Sequence, residues 1–255
     1  MLTLSATDEL AVDVTGAIRS GDPGALRLLL AEHPGLAAAT IRETREDRGP
    51  GVRSLLHIAA DWPGHFPGGP QVVAVLVAAG ADPDARFAGH HRETPLHWAA
   101  SNDDVPLLDA LVRAGADIEA SGAVIGGGTP LADARGFGQW RAARRLVEHG
   151  ARVDLQDAAT LGLLDRVEAY ATAPVPPTPE EITSAFWGAC HGGHLPAVEY
   201  LHRYGPDIDW IGYDGMTPLG VARAHGADEV VHWLTARGAT AGPAGQARAD
   251  GGARP

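Results

Sequence analysis

The chain has 255 residues, 45% of them hydrophobic, with a net charge of −12 and a single cysteine, Cys190. All twenty basic residues are arginine, which excludes a Schiff-base lysine, a phosphate-loop lysine and side-chain acetylation. The acidic balance, with no basic stripe, argues against nucleic acid or an anionic membrane as partner, and one cysteine excludes an intramolecular disulfide.

A lone cysteine fits a reducing compartment. The first residues, Met1 to Asp8, lack a basic region followed by an apolar core, and no apolar run is long enough for a bilayer. A cytoplasmic location is expected. The absence of lysine beside heavy Ala, Gly and Arg usage looks like the coding bias of a high-GC bacterial genome.

In chain order, the first expected elements are helices from Glu9 to Ser20 and from Pro23 to His33, joined by the turn Ser20-Gly21-Asp22-Pro23. Proline suits the first helical position, where no N–H is needed. The charges Asp8, Glu9, Asp13, Arg19 and Arg27 should face solvent. Residues 41–53 read as a charged, glycine-bearing connector or hairpin. Ser54 to Ala60 opens a short helix. Asp61 to Pro70 follows as an insertion whose three prolines and three glycines forbid helix. Apolar residues at helical spacing, Val72, Val73, Val75 and Leu76, then lead to Gly80.

The next pair opens at Thr94 and stops at Gly115. The one after it opens at Thr129 and stops at Gly150, with Asp133 in an otherwise apolar place. Gly126-Gly127-Gly128 is a loose hairpin tip between them. Ala158 to Val167 keeps a shortened helix pair without its hairpin opening and runs into the stiff stretch Pro174-Val175-Pro176-Pro177. Thr178 and Glu181 have the spacing of a capping box, which starts a longer helix toward His191. A last pair, 217–238, ends at Gly238. Residues 239–255, rich in Ala, Gly, Arg and Pro, are expected to be a disordered tail.

Four of these openings are versions of one phrase: Ser54-Leu55-Leu56-His57-Ile58-Ala59-Ala60, Thr94-Pro95-Leu96-His97-Trp98-Ala99-Ala100, Thr129-Pro130-Leu131 and Thr217-Pro218-Leu219. The stops at Gly80, Gly115, Gly150, Gly205 and Gly238 lie 35, 35, 55 and 33 residues apart. A period of about 33 with a T-P-L-H-x-A opening is the ankyrin signature, and over roughly residues 15–240 the chain resembles ankyrin-repeat proteins. The resemblance implies an all-α solenoid of about six to seven helix–turn–helix units with short connecting hairpins. As one domain over 1–240, its units fall near 8–53, 54–93, 94–128, 129–157, 158–178 (degenerate), 179–216 and 217–238. The physics of the residues agrees. Threonine caps the first helix, the alanine pairs let neighbouring helices approach, and the closing glycine takes the left-handed conformation.

His57 and His97 hold the place of the motif's histidine, whose ring bonds backbone between repeats. His191-Gly192-Gly193-His194 beside Cys190 suggests a metal pair, but the two glycines take it off one helical face and a zinc site needs further ligands. His90 and His91 are adjacent, a spacing that rarely chelates one ion. Asp207, Asp209 and Asp214 match no calcium spacing. No Gly-x-Ser-x-Gly elbow is present, and Gly126-Gly127-Gly128 carries no phosphate-loop lysine. No catalytic residue, cofactor or metal is therefore expected.

The resemblance places function on a concave surface made of hairpin tips and the ends of the first helices. By position this surface holds Trp62 and Phe66 from the insertion, then Arg86, Phe87, His90, His91 and Arg92, then Ser101 and Asn102. Phe137, His191, Trp210, Tyr213 and His225 continue the line. Aromatics and arginines anchor interfaces; equally, Trp62, Phe66 and Trp210 could seal gaps left by irregular repeats. Trp98, Trp140, Trp187 and Trp233 are expected in or near the core. The expected function is a non-catalytic scaffold that binds another protein in its groove. The alternative is a small ligand or metal held in a pocket walled by the 61–70 loop and His90-His91.

Overall fold

The computed structural model describes residues 2–45 and 49–242 of the chain. The chain divides into two compact units, Met1–Ala151 and Arg152–Pro255. Residues 243–255 of the expected tail lie outside the described residues.

The first unit carries four helix pairs: α1 (Glu9–Ser20) with α2 (Pro23–Glu32), α3 (Leu55–Ala59) with α4 (Gly69–Ala78), α5 (Pro95–Ser101) with α6 (Val105–Arg113), and α7 (Pro130–Gly136) with α8 (Trp140–Glu148). The first helix of each pair packs on the next first helix, and each second helix on the next second helix, giving two layers. Between the layers Leu26, Leu55, Leu56, Ile58, Leu76, Leu96 and Leu108 are fully buried, each contributing about 2 kcal/mol by removal from water. The alanines Ala59, Ala60, Ala99 and Ala100 are equally buried; their small size is what lets first helices this short stack closely. On the second layer Asp109 of α6 accepts two bonds from Arg145 of α8, at 2.6 and 3.0 Å, and one from His149 at 2.7 Å.

The repeat stops behave as the sequence predicts. Gly80, Gly115 and Gly150 have φ of +98°, +93° and +93°. A Cβ at any of them would meet open space, so backbone conformation alone selects glycine there. Neighbouring hairpins are tied by aspartates: Asp84 Oδ1 accepts the Asp117 N–H at 2.8 Å.

Residues 41–53 take the hairpin alternative: β2 (Thr40–Arg45) pairs antiparallel with β3 (Gly49–Ser54), and β2 also pairs parallel with β1 (Thr3–Ser5). Ile41 supplies the buried apolar side chain of β2, and Val52 bridges to Ala88 of the next hairpin. A small sheet thus accompanies the helices. Gly69 and Pro70, expected in the loop, begin α4, because a proline in the first helical turn lacks only an N–H that has no partner there.

In the second unit, α9 (Leu155–Thr160) pairs with α10 (Leu164–Ala171), α11 (Pro179–Gly192) with α12 (Leu195–His202), and α13 (Pro218–Ala224) with α14 (Asp228–Thr235). The shortened pair begins at Leu155, three residues before the expected Ala158. Asp154 and Asp157 form a capping box there, at 2.7 and 3.1 Å, with aspartate in the place that threonine holds in other repeats. The Thr178–Glu181 box forms as read, at 2.8 and 3.2 Å. Gly188 and Gly192 let α11 close on α9, since a Cβ at either would stand 2.3 Å from Thr160 Oγ1 or 2.0 Å from Thr160 O. Asp209 accepts the Thr240 N–H at 2.6 Å and its hydroxyl at 3.0 Å. Asp207 and Asp209 thus serve turns: Asp207 Oδ1 accepts the Asp209 N–H at 3.0 Å.

Candidate functional site

The motif histidines act as internal struts. His57 meets Ser54 Oγ at 2.9 Å through Nδ1 and the Glu93 carbonyl at 3.2 Å through Nε2. His97 meets Thr94 Oγ1 at 2.9 Å and the Gly128 carbonyl at 3.4 Å. Each ring joins its own cap to the backbone of the next repeat. Burial disfavours the charged imidazolium and lowers His57 to about 3 and His97 to about 4, so both are neutral struts near pH 7.

Two carboxyl groups sit beneath the same hairpins. Burial, then the charge of Asp133, raises Glu93 to about 7. Burial raises Asp133 to about 6. Asp133 Oδ1 accepts the Ile125 N–H at 3.0 Å, while its Oδ2 is buried without a partner. Shifted carboxyls often mark catalytic sites, but these are 9% and 0% exposed and out of a substrate's reach. Their role is to fill and orient the interior.

Above them, the hairpin residues Arg86, His90, His91 and Arg92 face a cleft of about 480 Å³, closed on the other side by Ser121, Gly122, Ala123 and Gly127 of the following hairpin. Arg86 Nη1 donates to the carbonyls of Arg92 (3.2 Å) and Ser121, spanning both hairpins. Gly122 has φ +118°, and a Cβ on it would lie 2.3 Å from Arg92 O, so glycine is what permits the hairpins to approach. Phe87 does not stand open to solvent. Its ring packs against Trp98 (5.4 Å between centroids) and His57 (6.3 Å), and it roofs the strut.

The 61–70 loop lies at the other end of the first helices. Seven residues of α5 separate Thr94 from Asn102, about 10 Å of helix. The loop is held from both sides. The His65 N–H donates to Asp104 at 2.7 Å and its ring meets the Asn102 carbonyl at 3.0 Å; Asn102 in turn donates to the Ala60 carbonyl at 2.8 Å. At its root, buried Asp61 accepts from Arg19 (2.7 Å) and Arg53 (2.8 Å), and Arg53 also reaches Glu43 (2.5 Å). Arg19, expected to face only solvent, is thus paired, and it also stands 5.9 Å from the half-buried Phe66 ring. Phe66 packs, whereas Trp62 remains 52% exposed. The loop contributes no residue to the cleft at His90 and His91, so the two do not wall a single pocket. Ser101, Asn102 and Phe137 are half-buried at the ends of α5 and α7.

In the second unit the remaining candidates gather around Trp187, which the sequence reading placed near the core. Its indole N–H donates to Met216 O at 2.9 Å. His191 (5.3 Å) and Tyr213 (5.3 Å) pack on its ring, Trp210 packs on Tyr213 (5.8 Å), and His225 meets His191 at 4.4 Å edge-on. His191 is buried and belongs to the interior of this cluster, because α11 carries it inward on the same face as Trp187, one turn earlier. Tyr213 and His225 stay exposed and Trp210 half-buried. Burial holds the Cys190 thiol far above its ordinary range, removing thiolate reactivity. Among the described residues no group of three or more His, Cys, Asp or Glu is placed to hold a metal, and no helix is long and apolar enough to cross a membrane.

Stacked helix pairs, left-handed glycine stops and histidine struts define a helical-repeat protein whose hairpins and first helices present side chains in rows. Residues 56–157 match the ankyrin-repeat family model in three copies. These residues are therefore ankyrin repeats. The chain is 49% identical over 53 residues to protein fem-1 homolog A of Rattus norvegicus, 21% of this chain and 8% of that protein. Against the Homo sapiens homolog A it is 39% identical over 84 residues, 30% of this chain and 12% of that one. An ankyrin repeat and KH domain-containing protein of Caenorhabditis briggsae is 30% identical over 187 residues, 68% of this chain and 7% of that protein. The chain therefore spans only a small part of the curated relatives it matches. These relatives are eukaryotic and lend no support to the bacterial origin suggested by composition.

Proposed function

We propose that the chain is a non-catalytic scaffold that docks another protein on its hairpins and first helices. Ankyrin repeats are in general protein-interaction modules, and the repeats of residues 56–157 supply that class. The observation that carries the reading is the fate of the polar and aromatic residues on this face. His57, His97, Glu93 and Asp133 are sealed inside the stack, while Trp62, Arg86, His90, His91, Arg92 and Tyr213 are left exposed. Large aromatics and arginines held on a rigid frame are suited to anchoring a partner, since little conformational entropy remains to be lost.

The test uses the purified chain, a Trp62→Ala variant, a Tyr213→Ala variant and an Arg144→Gln control on the exposed side of α8 as baits in native lysate. The reading expects a specific protein retained by the parent and the control and weakened in at least one of the two face variants, with unchanged melting. Equal retention by all four baits would move the docking surface elsewhere.

A further inference from the structure

The hairpin cleft has a chemistry opposite to that of the molecule. The chain carries −12 overall, yet the cleft is lined by two arginines, two histidines and backbone, with no carboxylate. Arg86 is pre-positioned by its two carbonyl bonds, which occupy Nη1 and leave Nε and Nη2 as donors. The side chains of His90, His91 and Arg92 are exposed and have no hydrogen-bond or ion-pair partner among the described residues. Buried Glu93, the nearest acidic residue in sequence, points its charge problem inward to Asp133 and Trp98. Guanidinium donors fixed in a forked geometry beside further N–H groups are matched to a carboxylate or phosphate.

We propose that this cleft is an oxyanion subsite of the docking face, taking a carboxylate or phosphate group carried on an acidic segment of the partner protein. The inference rests on the scaffold reading above and adds the partner's chemistry to it. A nucleic acid fits less well, because two arginines in one cleft do not form the stripe that a phosphate backbone needs. The overall negative charge does not oppose docking at contact range, since salt screens it beyond about 8 Å at physiological ionic strength.

The test measures anisotropy of a fluorescein-labelled hexaglutamate peptide, its hexaglutamine counterpart and oligothymidylate, on the full chain and on Arg92→Gln. Saturable binding of the glutamate peptide alone is expected, weakened about tenfold in Arg92→Gln through loss of a charge-assisted contact. Inorganic phosphate at matched ionic strength should displace it. Melting curves should coincide, because the Arg92 side chain supports nothing in the fold; should they differ, His90→Gln/His91→Gln carries the same expectation. Equal binding by parent and variant, equal binding of both peptides, phosphate binding without peptide binding, or tighter binding of oligothymidylate would overturn the proposal. Any of these results alongside retention of a partner that depends on Trp62 or Tyr213 would leave the scaffold reading standing.

Discussion

Glu93→Gln should stabilise the protein, and only at neutral to alkaline pH. In the unfolded chain this carboxyl ionises near 4.5, whereas in the folded chain burial and Asp133 hold its proton to about 7. Below the lower value both states are protonated and the group costs nothing. Between the two, the unfolded state releases its proton first, so stability falls as pH rises; above the upper value the full cost is present. At about 1.4 kcal/mol per pH unit, that cost approaches ~3 kcal/mol near pH 8.5 and stays below about 1 kcal/mol near pH 5. Glutamine remains neutral and keeps an acceptor for the Trp98 indole, so it avoids the cost. The His57 and His97 protonations contribute equally to parent and variant and cancel in the difference. Urea unfolding followed by tryptophan fluorescence at the two pH values measures it. A variant less stable than the parent near pH 8.5, or a gain of the same size at both values, would refute the reasoning.

His97→Ala should cost about 2–4 kcal/mol in the same assay, because it strands the Thr94 N–H and the Gly128 carbonyl and leaves a cavity. Gly21→Ala should cost clearly more than Gly115→Ala. Both replace a left-handed residue, worth about 1–2 kcal/mol, but only at Gly21 would the Cβ collide with backbone, 1.8 Å from Pro67 O. Paired thermal melts decide it, and equal losses would show that the loop does not press on that turn. Trp62→Ala should change stability by less than about 0.5 kcal/mol, as expected for an exposed side chain; a large loss would make Trp62 a structural filler.

The helical frame was legible because its signals are local. The boundaries of α1, the left-handed stops and the Thr178 box each follow from a few adjacent residues and backbone chemistry. The strands were less legible, since β1 becomes a strand only by pairing with Thr40–Arg42, distant in sequence. The Asp154 box departs from the repeat phrase, because aspartate caps where the other openings carry threonine or serine. For the site, residue type and hairpin position were enough to find Arg86, His90, His91 and Arg92. They could not show that Ser121–Ala123 would close the cleft, a fact of repeat stacking. Nor could they show the Glu43–Arg53–Asp61–Arg19 network, which joins four elements through long side chains. Phe87 and His191 hold surface positions of the repeat pattern, yet each packs on a tryptophan, Trp98 or Trp187, that spans core and surface.

The most direct test of the scaffold account is site-specific photocrosslinking in native lysate, with the crosslinker placed at His91 in the first unit or Tyr213 in the second, and at Arg144 or Glu199 on the exposed sides of α8 and α12. The account predicts a discrete crosslinked protein from the first two positions and none from the others. Crosslinks confined to Arg144 or Glu199 would contradict it and place the partner on the second helices.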